Sequence, residues 1–212
     1  MDKEQGLKQV EATRIIAIIR GVEERHILQV ADALYAGGIT VMEVTLNTPG
    51  APDMIRQLQH ERGDRMFIGA GTVLDLDDAK TALAAGAGFI VTPNTDEAVI
   101  RYCADTGVPI YPGAMTPSEI VRAWKAGATA VKVFPSASLG IGYIKELQGP
   151  LSHIPMLAVG GVNADNIREF IRIGCHGVGI GGSVVNLKEI AAGNFAWITE
   201  KARALTEQTI GS

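Results

Sequence analysis

The chain has 212 residues, of which 47% are hydrophobic and 20% are charged, a balance typical of an ordinary soluble globular protein. Its formal net charge of -4 gives no reason to expect nucleic acid or an anionic membrane surface as a partner. No apolar run reaches the ~20 residues that span a bilayer, and the charged N-terminal segment lacks the apolar stretch of a signal peptide. We therefore expect a cytoplasmic protein, in which an anionic substrate would need a local positive site.

Eight short apolar segments recur along the chain, and the segments between them have the spacing of amphipathic helices. In chain order they are RIIAIIR, ITVMEVTL, MFIGAGT, AGFIVTP, VPIYPG, ATAVKVFP, PMLAVGG and CHGVGIGG. Near-continuous apolar strands alternating with helices are typical of a parallel sheet covered by helices. Eight such units close a TIM barrel, so we predict an α/β fold, a small (β/α)8 barrel in a single domain of residues 1–212. An open doubly wound sheet is the alternative, but IIRGVEE lacks the Gly-rich turn that such a sheet needs after its first strand.

Lys132 lies near the end of the sixth apolar segment. Alternation along the strand puts it on the inward face above the small Ala130, while Val131 and Val133 face the helices. One interpretation is that the lysine extends to solvent or pairs with a carboxylate. The other is that apolar surroundings lower the pKa of its amine, so that it can attack a carbonyl group and form a Schiff base.

Glu43 and Arg20 favour the chemical interpretation. Alternation in VMEVTLN places Glu43 on the same inward face as Val41 and Thr45. Glu43 is either the ion-pair partner of Lys132 or Arg20, or a general acid/base that moves protons on a substrate. Arg20 ends the first strand, where its guanidinium group could hold a carboxylate through two hydrogen bonds. These three residues together do not identify the reaction.

Glycine turns follow the seventh and eighth segments, in AVGGVNADN and GIGGS. The missing side chains let a ligand approach the backbone, and N–H groups at the start of helices suit an anion. One such turn could serve tight geometry alone. Two turns at adjacent strand ends, where barrels commonly bind phosphate, predict a phosphate site.

The four histidines show no metal-binding spacing, so we expect no metal.

Seven motifs along the chain resemble the 2-keto-3-deoxy-6-phosphogluconate (KDPG) aldolase family, which includes 4-hydroxy-2-oxoglutarate (KHG) aldolase. They are EVTLNTPGA, IGAGTVLD, FIVTPN, YPGAMTPSE, VKVFPS, AVGGVNADN and GIGGS. The resemblance covers nearly the whole chain. It implies a class I aldolase on a TIM barrel, without metal or other cofactor, usually a homotrimer. It also implies that a keto-acid sugar phosphate is the substrate and that pyruvate is released.

The resemblance also implies roles for individual residues. Lys132 in VKVFP is similar to the Schiff-base lysine of the family, and Glu43 in EVT to its general acid/base. The positions that line the pyruvate moiety are Arg20, Thr72, Pro93 and Phe134. The positions that hold the phosphate are Gly160, Gly161, Gly182 and Ser183.

Asn47 in LNTP is a departure from part of the family, because some phosphogluconate enzymes carry arginine there and the related galactonate-type enzymes share Asn. We expect Asn47 to reach a substrate hydroxyl group, with looser discrimination between the gluconate and galactonate epimers at C4. Whether KHG is also a substrate stays open. A phosphate-barrel isomerase or epimerase and a non-catalytic sugar-phosphate-binding barrel are disfavoured, because neither needs Lys132, Glu43 and Arg20 together at the barrel mouth.

Overall fold

Parallel strands rich in small and β-branched residues form the centre of the structure. The computed structural model describes residues 1–209. Within that range the strands are β1 Ile15–Ile19, β2 Val41–Thr45, β3 Phe67–Gly71, β4 Ile90–Val91, β5 Ile110–Tyr111, β6 Gly113–Ala114, β7 Val131–Val133, β8 Met156–Val159 and β9 Gly177–Ile180. All of the strand pairings are parallel, as the near-continuous apolar segments predict.

Helices cover the outside of this sheet and its N-terminal end. They are α1 Lys3–Thr13, α2 Ile27–Ala36, α3 Ala51–Arg62, α4 Leu76–Ala84, α5 Glu97–Asp105, α6 Pro117–Ala126, α7 Ser136–Leu139, α8 Ile141–Gln148, α9 Ile167–Arg172, α10 Leu187–Ala191 and α11 Phe195–Thr209. Helix α6 shows why they begin and end where they do. Thr116 and Glu119 form a capping box at its start, and Gly127 ends it at a φ of 109°. In the described range, no helix has the length and apolar character that crossing a membrane requires.

The sheet closes on itself at Pro112. The hydrogen-bonded order of the strands is β5-β4-β3-β2-β1-β9-β8-β7-β6, so β5 and β6 stand at its two ends. Only Pro112 separates β5 from β6 in the chain, and together they make the fifth strand of an eight-stranded barrel. Proline has no N–H group to donate to a neighbouring strand, which explains why the fifth strand is interrupted at Pro112. The predicted (β/α)8 barrel is confirmed, while residues 210–212 of the predicted domain lie outside the described residues.

Alternate residues along the strands pack into two separate layers. Val41 and Ala130 belong to a layer inside the barrel. Val131 and Val133 belong to the larger layer between the barrel and the helices. The predicted alternation is therefore confirmed for β7, and Lys132 faces the barrel interior above Ala130.

Helix α1 closes the N-terminal end of the barrel. Val10 of this helix joins the inner layer. Gly6 lies so close to the ring of Phe67, the first residue of β3, that a Cβ atom at Gly6 would overlap the ring. Because this end is covered, a site at the centre of the barrel opens at the C-terminal ends of the strands, where TIM barrels carry their chemistry.

Candidate active site

Lys132 is held at the centre of β7 and is only 6% exposed. The register places it between Gly113 of β6 and Leu157 of β8. Burial lowers the pKa of its ammonium group; Glu43 opposes that shift and Arg20 adds to it. Within residues 1–209, no carboxylate forms an ion pair with Lys132. A lowered pKa without an ion-pair partner is the environment of a nucleophilic amine rather than of a structural salt bridge.

Glu43 occupies the middle of β2 and is 2% exposed. Burial raises the pKa of its carboxyl group to about 7, although the positive charges of Lys132 and Arg20 oppose the shift. Its Oε2 atom has no hydrogen-bond partner among the described residues. With a pKa near 7, this carboxyl group is present at neutral pH in both its acid and its base form, as a proton shuttle requires.

Gly71 makes the space for the Glu43 carboxyl group. Gly71 ends β3 beside β2, and a Cβ atom placed on it would lie 2.6 Å from the Cδ atom of Glu43. No side chain fits at that distance without displacing the carboxyl group. Gly71, the second glycine of IGAGT, therefore contributes to the site by leaving space for the carboxyl group. Sequence analysis missed this contribution.

Arg20 follows β1 at the barrel mouth and is exposed. Its Nη2 atom donates a hydrogen bond to the Oγ1 atom of Thr72 at 3.4 Å. Thr72 has a φ of 55°, an outlier for a β-branched residue. This strained backbone position aims the threonine hydroxyl group at the guanidinium group, so the contact joins the ends of β1 and β3.

A chain of buried hydroxyl groups fixes the backbone on both sides of Arg20. The N–H group of Gly21 donates to the Oγ1 atom of Thr48 at 2.9 Å. The hydroxyl groups of Thr48 and Thr45 lie 3.0 Å apart, and Thr45 donates to the carbonyl oxygen of Ile19 at 3.2 Å. Thr48 was not among the residues predicted from sequence, because its role depends on a contact with another loop.

Pro93 and Phe134 flank Lys132. The Nζ atom of Lys132 lies 4.9 Å from the centre of the Phe134 ring. The backbone around Pro93 packs directly on Gly113, the register neighbour of Lys132, and a Cβ atom at Gly113 would overlap Pro93. These two residues therefore form apolar walls beside the amine and help to exclude water from it.

The glycine turns follow β8 and β9, and the first of them packs beside Phe134. Gly160 and Gly161 have φ values of 93° and 76°, and a Cβ atom at Gly161 would overlap the side chain of Ala137. In the described part of the chain, no hydrogen bond uses the N–H groups of Gly161, Gly182 or Ser183. The hydroxyl group of Ser183 donates to the carbonyl oxygen of Val162 at 3.0 Å. Unused N–H groups on exposed backbone provide donors for an anion.

One cavity of about 900 Å³ brings the strand-end residues and the glycine turns together. The predicted site residues that line it are Arg20, Glu43, Pro93, Lys132, Phe134, Gly160, Gly161, Gly182 and Ser183. Two predicted residues, Thr72 and Asn47, do not line the cavity. Thr72 is connected to it through its hydrogen bond with Arg20, and Asn47 is exposed in the loop after β2. Leu187 and Lys188 of α10 also line the cavity and were not predicted. Within the described range, no group of His, Cys, Asp and Glu side chains could hold a metal ion.

Comparison with known proteins identifies the family. The model of the family described as "Aldolase: KDPG and KHG aldolase" matches residues 7–201. The chain is 39% identical to the 2-dehydro-3-deoxy-6-phosphogalactonate aldolase of Escherichia coli (strain K12), over 79% of this chain and 82% of the relative. It is 35% identical to the 2-dehydro-3-deoxy-phosphogluconate aldolase of Treponema pallidum (strain Nichols), over 95% and 94%.

A solved structure adds chemical information. The KDPG aldolase from Legionella pneumophila, with pyruvate captured as a covalent carbinolamine intermediate, superimposes with a TM-score of 0.87 at 32% identity. The match covers 93% of this chain and 96% of that structure. A carbinolamine is the adduct that precedes a Schiff base, so the relative reacts through an amine. The resemblance seen in the sequence is confirmed: the chain belongs to the KDPG and KHG aldolase family and is a class I aldolase, a lyase.

Proposed function

We propose that the chain cleaves 2-keto-3-deoxy-6-phosphogluconate into pyruvate and glyceraldehyde 3-phosphate, with Lys132 as nucleophile and Glu43 as general acid/base. The observation that carries the proposal is the content of a single cavity. A buried amine, without an ion-pair partner among residues 1–209, and a carboxyl group with a pKa of about 7 line this cavity. Backbone N–H groups of the turns after β8 and β9, unused within the described residues, line it as well. This combination suits a substrate that carries both a ketone and a phosphate.

The first half of the reaction attaches the substrate to Lys132. The neutral Nζ atom attacks the C2 carbonyl carbon, and the carbinolamine that forms loses water to become a protonated imine. The acid form of Glu43 gives its proton to the departing hydroxyl group. The covalent pyruvate carbinolamine in the Legionella pneumophila relative supports this step. Arg20 holds the substrate carboxylate.

The second half breaks the C3–C4 bond. The carboxylate form of Glu43, directly or through a water molecule, accepts the proton of the C4 hydroxyl group. The electron pair of the C3–C4 bond then moves towards the imine, which leaves an enamine on Lys132 and releases glyceraldehyde 3-phosphate. Protonation of the enamine at C3 and hydrolysis of the imine release pyruvate and restore the free amine.

A galactonate-type substrate is a second candidate, favoured by the sequence resemblance at Asn47 and not by a place of Asn47 in the cavity lining. The sequence resemblance places Asn at this position in galactonate-type enzymes, and the Escherichia coli relative at 39% identity is a 2-dehydro-3-deoxy-6-phosphogalactonate aldolase. An amide side chain can contact a hydroxyl group in more than one orientation because it both donates and accepts hydrogen bonds. We propose that both C4 epimers are cleaved, and that KHG is cleaved more slowly because it lacks the phosphate.

The test is a comparison of kcat/KM for the two phosphorylated epimers and for KHG, measured as pyruvate release. The proposal expects both epimers to be cleaved at rates within about tenfold of each other, a difference of about 1.4 kcal/mol. Strict preference for one epimer would remove the role given to Asn47. Preference for KHG over both phosphorylated substrates would overturn the phosphate part of the proposal.

We also propose that the chain assembles as a homotrimer, as the resemblance to the family implies. Exposed apolar side chains at the barrel mouth, Leu74 at 51% and Met115 at 48%, support burial against another subunit. Light scattering after gel filtration should give three times the mass of one chain. A mass equal to that of a single chain would contradict the trimer.

A further inference from the structure

We propose that Lys188 is a specificity-determining residue that makes the cavity prefer a substrate carrying a phosphate group. This inference rests on the proposed function and adds to it a residue that sequence analysis did not single out. Lys188 lies on α10, five residues after Ser183 in the chain, and lines the same cavity as Gly182 and Ser183. Backbone N–H groups in this part of the site can bind many oxygen atoms, whereas a lysine adds a positive charge.

The distribution of charge in the cavity points to Lys188. The charged side chains of the lining are those of Arg20, Glu43, Lys132 and Lys188. Arg20 follows β1, Glu43 lies on β2 and Lys132 lies on β7, and the proposed reaction already uses all three. Lys188 alone among these four follows β9, with the glycine turn. Its position therefore suits the second negative group of a substrate that has a carboxylate and a phosphate.

The ammonium group of Lys188 is available for a ligand. Lys188 is exposed, and within residues 1–209 it takes part in no ion pair. The nearest carboxylate in sequence, on Glu189, instead accepts a hydrogen bond from the Nδ2 atom of Asn194 at 2.6 Å. A lysine without a protein carboxylate partner is free to interact with an anion in the cavity.

The neighbours of Lys188 are occupied in other ways. The side chain of Asn186 accepts hydrogen bonds from the N–H groups of Lys188 and Glu189, at 2.9 and 3.4 Å. The hydroxyl group of Ser183 donates a hydrogen bond to the carbonyl oxygen of Val162. Leu187 is apolar and cannot bind an anion. Among the residues of this turn and α10, Lys188 is therefore the one that can distinguish a dianionic phosphate group from a neutral group.

The experiment compares Lys188→Gln with the matched control Lys125→Gln. Lys125 is an exposed lysine in the last turn of α6 and does not line the cavity. For each protein, kcat/KM is measured for a phosphorylated keto acid and for KHG, which lacks phosphate. Lys188→Gln should lower the ratio of the two values about tenfold, because the variant loses a charge-assisted hydrogen bond that solvent exposure weakens. Lys188→Arg should restore most of the ratio, and Lys125→Gln should keep the wild-type ratio.

The outcomes separate the inference from the proposed function. A wild-type protein that cleaves neither substrate would overturn the proposed function and the inference together. A wild-type protein that prefers the phosphorylated substrate, with the same preference in Lys188→Gln, would overturn the inference alone. A wild-type protein without preference for phosphate would also overturn it. If only the phosphorylated substrate is cleaved, KM for that substrate should rise about tenfold in Lys188→Gln, and an unchanged KM would contradict the inference.

Discussion

At the scale of single residues, burial acts on Lys132 and Glu43 in opposite directions. It lowers the pKa of the lysine and raises that of the glutamate to about 7. In both cases the barrel interior favours the neutral form, because a low-dielectric environment disfavours charge. A neutral amine is the form that attacks a carbonyl group, and a neutral carboxyl group is the form that donates a proton. The same burial therefore prepares both groups for the first step of the proposed reaction.

Replacement of the glutamate tests its role as proton shuttle. Glu43→Gln keeps the shape of the side chain but removes its titration, so kcat should fall by about 10²–10⁴-fold. In the wild type, kcat/KM should fall as pH drops through about 7, because the carboxylate form that accepts the C4 proton is lost there. The residual activity of Glu43→Gln should lack this limb of the pH profile. Near-normal turnover in the variant would instead make Glu43 a structural residue.

The space above Gly71 is a second test at this scale. Gly71→Ala would place a methyl group 2.6 Å from the Glu43 Cδ atom and displace the carboxyl group. We expect kcat to fall by about 10–100-fold, since misplaced catalytic groups lose about that much rate. The control is Gly142→Ala in α8, where a Cβ atom has no neighbour within 4 Å and alanine favours the helix. Equal kcat values for Gly71→Ala and Gly142→Ala would contradict the role given to Gly71.

At the scale of elements, the site depends on how the loops after the strands are tied together. The loop after β1 carries Arg20, and the buried hydroxyl groups of Thr45 and Thr48 connect it to the loop after β2. The loop after β8 is tied to α7, since the N–H group of Ala137 donates to the carbonyl oxygen of Gly160 at 2.9 Å. The barrel supplies rigid strand ends, and these contacts hold the loops that carry Arg20 and Gly160 against neighbouring elements.

Thr48 is the positioning residue that tests this account. Thr48→Val keeps the volume but leaves the part-buried N–H group of Gly21 without its acceptor, a loss of about 0.5–1.5 kcal/mol. We expect KM for the keto-acid substrate to rise about tenfold with a smaller change in kcat, because the role proposed for Arg20 is to bind the substrate and not to transfer protons. Thr48→Ser keeps the hydroxyl group and should keep KM near the wild-type value. A wild-type KM in Thr48→Val would show that the loop is held by other contacts.

At the scale of the whole molecule, the sign of the net charge differs from the sign of the charge in the cavity. The chain carries a formal charge of -4. Among the described residues, the cavity lining nevertheless contains three basic side chains and a single carboxyl group, whose pKa is about 7. An anionic substrate therefore meets a positive cavity on a negative protein. This arrangement answers the question that composition leaves open, namely how an acidic chain can bind an anion.

Much of this architecture is predictable from sequence because it depends on local patterns. The eight apolar segments predict the barrel, and alternation alone places Lys132 and Glu43 inside it. The interruption at Pro112 divides the fifth segment and leaves the barrel order unchanged. The roles of Thr48 and Lys188 were not predictable, because each depends on where a loop or short helix lies relative to a distant strand end. Loop geometry of this kind is set by tertiary contacts rather than by periodicity.

The central claim is that Lys132 is the covalent nucleophile, and trapping with pyruvate and borohydride tests it most directly. Borohydride reduces the imine to a stable amine, which mass spectrometry of peptides can assign to one lysine. The expected result is a single pyruvate-derived group on Lys132, with no labelling and no turnover in Lys132→Ala. Labelling of Lys125 or Lys145 in place of Lys132, or turnover by Lys132→Ala, would contradict the account.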